Sequence, residues 1–248
     1  MALIDFRFFS NVLGKHTAAT VLYPDSGKGP FPVFYLLHGL SDDHTVWLRR
    51  SRVEAYWEGL PLIIVMPDGH RSFYTNAHQG FNFATHIAEE LPNKIESTFH
   101  AKTTGKARSI GGLSMGGYGS LRLGLGFPGR YQSITSHSGA LLADRRLRDP
   151  GGPGEMDRLF GPYRAGTSHD LLSLAKKAKQ QGKLPRIRID CGTDDFLLNE
   201  NRMFHAGLQK LGVPHEYEEF PGVHNWDYWD THIRDAIPFH CKAMGIKK

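Results

Sequence analysis

The sequence has little of what would mark a secreted scaffold, a membrane protein or a nucleic-acid binder. Two cysteines in 248 residues, Cys191 and Cys241, are too few for a disulfide framework. They read as free thiols in a reducing compartment, so the expected location is cytoplasmic. No apolar run approaches the roughly 18 residues that a membrane span needs. The opening segment MALIDFRFFSNVLGKH lacks the basic start, apolar stretch and small-residue cleavage site of a signal peptide. No Cys/His spacing suits a structural zinc, and neither metal nor cofactor is expected. The net charge is only +5. The clusters Arg145-Arg146-Arg148 and Lys176-Lys177-Lys179 lack the interleaved aromatics of a nucleic-acid stripe and read as solvated faces. Internal repeats and low-complexity linkers are absent too, and no interface signature is legible.

Continuous apolar segments are present, and they alternate with amphipathic ones. VFYLL at residues 33–37 and LIIVM at 62–66 have the unbroken hydrophobicity of strands buried on both faces of a parallel sheet. Residues 2–9 and 17–23, separated by Gly14, suggest an antiparallel hairpin ahead of them. Further strands are expected at 109–110, 133–136, 186–191 and 216–220. Helices are expected at 84–99, 171–181, 200–211 and 229–244, with Pro92 kinking the first or marking a restart. This alternation implies an α/β fold: a mostly parallel sheet with helices on both faces, in one domain over residues 1–248. Residues 140–167, rich in Gly and Pro, read as an irregular excursion over the sheet.

In parallel sheets, chemistry gathers at the carboxyl ends of strands. Those ends carry His38-Gly39-Leu40, Asp68, Ser114, Ser138-Gly139, Asp194-Asp195 and His224. Ser114 lies in Gly112-Leu113-Ser114-Met115-Gly116, between a strand and a helical run. A serine on so tight a turn needs glycine on both flanks, and the turn lifts its hydroxyl above the sheet. The Met115 N–H, at the helix N-terminus, then faces any oxyanion that forms nearby. The second donor is expected from the loop after residues 33–37, at the Leu40 N–H.

A serine hydroxyl needs a base, and the base needs an orienting acid. The chain order serine, acid, histidine fits if the acid follows strand 186–191 and the base follows strand 216–220. His224 alone of the fourteen histidines occupies a short loop between the last strand and the last helix, which favours it over His137 and His232. Asp194 and Asp195 are both placed for the acid, and their side chains diverge, so only one can serve. The other faces solvent or caps the next helix.

The segments LLHGLSDDHTVW, YTN, ATHIAEELPNKIESTF, GGLSMGGYGSLRLGL, CGTDDFLLNEN and GVHNWDYWD resemble the esterase D-like "putative esterase" family of α/β-hydrolases, in particular its tributyrin-esterase type. The resemblance spans nearly the whole chain. It implies a serine carboxylesterase for short acyl or aryl esters, with Ser114, His224 and, of the two aspartates, Asp195 as the triad. Leu40 and Met115 would form the oxyanion hole, and Trp47, Tyr74 and Trp226 would shape the pocket. The implied partner is a small-molecule ester, and homo-oligomers occur among relatives. An S-formylglutathione hydrolase type of thioesterase, or an acyltransferase, would use the same triad. A non-catalytic binding module would not need it intact. The part of the excursion from 144 to 161 matches no one subfamily, which leaves the substrate open.

Overall fold

The computed structural model describes residues 1–143, 154–162 and 166–246. In chain order these form β1 (Ala2–Ser10), β2 (Lys15–Tyr23), β3 (Val33–Leu37), α1 (Val46–Arg50), α2 (Val53–Trp57), β4 (Ile63–Pro67), α3 (Phe83–Thr85) and α4 (Leu91–Thr98). There follow β5 (Arg108–Leu113), α5 (Met115–Gly126), β6 (Ser133–His137), α6 (Glu155–Phe160), α7 (Leu171–Gln180), β7 (Arg186–Gly192), α8 (Leu198–Lys210), β8 (Glu216–Phe220) and α9 (Trp226–Met244). The strands make one sheet in the order β1-β2-β4-β3-β5-β6-β7-β8. From β4 to β8 the neighbours are parallel, and β2 runs antiparallel to both β1 and β4.

The apolar runs are explained by the two layers they feed. Val33, Tyr35 and Leu37 of β3 point into one core with Ile63, Val65, Ile110 and the inner faces of α4, α5, α7 and α8. Phe34 and Leu36 point the other way, into a core closed by Trp47, Trp57 and the Ile233 and Ile237 face of α9. A strand covered on both faces has no polar side to alternate with.

Three local features refine or depart from the sequence expectation, and the first bears out the restart expected at Pro92. The helix expected at 84–99 is α3, a π-turn over His86–Glu90, and α4 with Pro92 in its first turn. Pro92 has no N–H to offer the Ala88 carbonyl, and its ring would crowd that carbonyl in a regular α-turn. The Arg130 guanidinium instead donates to it at 3.1 Å. The final helix starts three residues earlier than expected, because the Asn225 side chain caps it through the Tyr228 N–H at 3.1 Å. Within the 140–167 excursion, α6 is regular, and its Met156 and Phe160 join the core. Arg71 grips the same helix through Glu155 at 2.8 and 3.0 Å. Residues 144–153 and 163–165, the rest of that excursion including Arg145, Arg146 and Arg148, lie outside the described residues. No helix among the described residues is long and apolar enough to cross a membrane.

Candidate active site

Ser114 terminates β5 with φ 52° and ψ −115°, a strained conformation for a residue with a side chain. The strain is tolerated because the turn is tied on both sides. The Ser114 N–H donates to the His137 carbonyl at 2.9 Å, and the Ser114 carbonyl accepts from Tyr118 and Ala140, each at 3.1 Å. A Cβ on Gly116 would come within 2.6 Å of the Leu37 carbonyl oxygen. One on Gly112 would come within 2.7 Å of Gly116. Both flanks are glycine because backbone occupies the space a side chain would take.

The elbow brings Ser114 Oγ to 3.0 Å from His224 Nε2, and Asp195 Oδ2 lies 2.8 Å from His224 Nδ1. These residues sit on loops after β5, β8 and β7. The acid and histidine loops are fastened together: Thr193 N–H donates to the Phe220 carbonyl at 2.8 Å, and Asp194 N–H to that of Gly222 at 2.9 Å. Asp194 itself is exposed beside the Thr193 hydroxyl. The Asp195 side chain is fully buried, whereas that of His224 keeps 15% of its surface, enough to meet a substrate. Burial opposes ionisation of Asp195. The His224 hydrogen bond and charge, with the Leu197 N–H, outweigh it and hold the carboxyl below its usual range. Phe196 and Trp229 clasp the imidazole, with ring centroids 4.4 and 4.8 Å away. His137 and His232 lie elsewhere, on Asp190 and Asp235.

An apolar cavity of about 100 Å³ opens on Ser114, with Leu40 and Met115 in its wall. As the first residue of α5, Met115 has an N–H with no acceptor inside the helix. The loop carrying Leu40 is held through its carbonyls and its histidine. Trp47 Nε1 donates to the Leu37 carbonyl at 3.1 Å, and Tyr74 Oη to the His38 carbonyl at 3.0 Å. His38 Nε2 accepts from the Gly69 N–H at 2.8 Å, so its proton sits on Nδ1 and goes to the Gly39 carbonyl at 2.7 Å.

Trp47, Tyr74 and Trp226 were expected to shape the pocket, and the structure corrects this: none is in the cavity wall. Trp47 and Tyr74 are buried behind it, bracing the Leu40 loop, while Trp226 packs edge-on against Trp47 and Trp229. The aromatic wall is Phe73 and Phe196, joined by Leu142 and Met156. Phe196 directly follows Asp195 and Phe73 directly precedes Tyr74, so both were within reach of the motifs. Met156 lies in the unmatched excursion and left no signal. Among the described residues, no cluster of His, Cys, Asp or Glu could hold a metal ion.

Residues 10–240 match the family model described as "Putative esterase". The acetyl esterase of Caldicellulosiruptor saccharolyticus is 30% identical over 98% of this chain and 99% of its own. The substrate-bound fluorophosphonate-binding serine hydrolase F of Staphylococcus aureus superimposes with a TM-score of 0.89 at 29% identity, over 96% of this chain and 98% of that one. The S-formylglutathione hydrolase of Staphylococcus aureus does so at 0.86, with the same identity and coverage. With the motif geometry, the family model and a relative matched end to end in agreement, this chain belongs to the "Putative esterase" family and has the α/β-hydrolase fold.

Proposed function

We propose that the chain is a serine carboxylesterase for short-chain acyl esters, acting as a single unit through Ser114, His224 and Asp195. The observation that carries this reading is the unbroken hydrogen-bond chain from Ser114 Oγ through His224 to Asp195 at the mouth of an apolar cavity. His224 Nε2 takes the Ser114 proton as Oγ attacks the ester carbonyl, and Asp195 stabilises the imidazolium. The carbonyl oxygen, now negative, accepts from the Leu40 and Met115 N–H groups. The alcohol leaves with the proton held by His224, and water repeats the steps on the acyl-enzyme.

The cavity bears on chain length. An engineered apolar cavity of about 150 Å³ takes benzene, so about 100 Å³ suits an acyl chain of about four carbons. Across p-nitrophenyl esters from acetate to laurate, kcat/KM is expected to peak at about two to four acyl carbons. Ser114→Ala is expected to lose at least about 10⁴-fold in kcat. Activity that survives this substitution would place the chemistry elsewhere.

A second reading is favoured by the likeness to the Staphylococcus aureus S-formylglutathione hydrolase, at TM-score 0.86. Thioester cleavage needs the same proton transfers and only a smaller acyl group. Turnover of S-formylglutathione exceeding that of p-nitrophenyl acetate would favour it. Neither cysteine is in a disulfide and Cys191 is buried, which supports a cytoplasmic location.

A further inference from the structure

Among the described residues β1 has one neighbour, β2, so its outer edge presents backbone donors and acceptors that no described strand pairs along its nine residues. Long edges of this kind are usually blunted by charged side chains, proline or a bulge. At the opposite edge β8 is so protected. A two-fold axis through Tyr217 would set Glu216 against Glu218, and one through Glu218 or Glu219 would set that carboxylate against itself.

β1 has neither proline nor a bulge, and its two outward charges, Asp5 and Arg7, are opposite in sign and pair with each other at 3.0 Å. Leu3 and Phe9 are among the most exposed large apolar residues, at 57% and 47%, and they share one face with Asp5 and Arg7. Ile4, Phe6 and Phe8 lie on the other face, half-buried, with Phe6 against Phe99 and Phe8 against His86. The pattern ALIDFRFFS is self-complementary about its centre. Facing residues in an antiparallel pair point to the same side of the sheet, so a two-fold axis normal to the sheet must pass through a residue. Centred on Phe6, it sets Leu3 against Phe9, Asp5 against Arg7, Ile4 against Phe8 and Phe6 against itself. Centred on Asp5 or Arg7, it opposes like charges.

We infer that β1 is a homodimer interface. Two copies pair antiparallel about Phe6, so that two eight-stranded sheets become one continuous sheet. The occupant is a second copy because the charge pattern complements itself, with one acid and one base placed symmetrically about an apolar centre. The loops bearing Asp195 and His224 follow the strands at the far edge, so pairing at β1 leaves the ester-cleaving site free.

The test is the mass of the full-length protein in solution, by light scattering behind size exclusion across a micromolar range, with p-nitrophenyl acetate hydrolysis as a folding control. The wild type is expected at twice the chain mass. Asp5→Arg alone and Arg7→Asp alone each oppose like charges twice across the axis and are expected to weaken dimerisation on the order of tenfold, with hydrolysis unchanged. An equimolar mixture of the two variants restores opposite charges at both positions and is expected to regain the dimer. A monomeric wild type, a dimer indifferent to both substitutions, or a mixture no better than its components would overturn the inference.

Discussion

Asp195 is where the site's electrostatics are concentrated. Removal from water alone would push its carboxyl up, yet the His224 hydrogen bond and charge and the Leu197 N–H bring it below its usual range. A lowered carboxyl stabilises the folded state above the unfolded value of about 4, and that stabilisation disappears as the pH falls through the native value. Asp195→Asn removes the charge and can donate to His224 Nδ1, which holds the ring in the wrong tautomer. The expected loss in kcat is on the order of 10⁴-fold. Urea unfolding should also depend less on acidification below pH about 5 in this variant than in the wild type. A wild-type pH profile in the variant would remove Asp195 from the proposed triad. At this scale, the sequence motif left Asp194 and Asp195 as equals and only family resemblance separated them. The fold separates them physically, turning one into solvent and burying the other against His224.

Among the elements, α5 matters most, because its first turn meets the carboxyl end of β3. The Leu37 and His38 carbonyls stand 2.6 and 2.7 Å from where a Gly116 Cβ would be. They are backbone atoms on a loop braced by Trp47 and Tyr74, so the neighbours have little room to give. Gly116→Ala is therefore expected to destabilise by about 1–3 kcal/mol. It should also shift Ser114 and Met115 relative to Leu40, lowering kcat more than it raises KM. Thermal unfolding and steady-state kinetics read the two effects separately, and a variant with wild-type values in both would mean that the turn is looser than described. The elbow was legible because G-x-S-x-G is a local steric requirement. Helix α6 was not, because it is short and is ordered by distant partners, with Met156 and Phe160 in the core and Glu155 on Arg71. The roles of Trp47 and Tyr74 also escaped sequence reasoning, since bonds to carbonyls across the fold have no sequence spacing.

Over the whole molecule, two apolar layers enclose the sheet, but the layer beneath α9 also holds polar groups. His240 lies fully buried between Ser133 and Thr135, whose hydroxyls are 2.8 and 3.0 Å from its two ring nitrogens. Burial, helped by His137, pushes its pKa well below the usual histidine value of 6.5. The neutral ring is therefore favoured in the folded state. Its stability is complete above pH 6.5 and declines below it, as only the unfolded chain takes up the proton. The urea midpoint is expected to fall between pH 7 and pH about 5, and to fall less in His240→Gln, which keeps donor and acceptor without the titration. Equal slopes in the two proteins would move the acid sensitivity to another group. By itself, the sequence determined the layered α/β architecture, the elbow at Ser114 and the loop positions of the acid and the histidine. Each of these follows from local periodicity, local sterics or chain order. Tertiary structure alone decided which aspartate is buried and which aromatics wall the cavity rather than brace it, and it left β1 as an open edge. Those outcomes depend on which distant segments meet, and no short-range pattern encodes that.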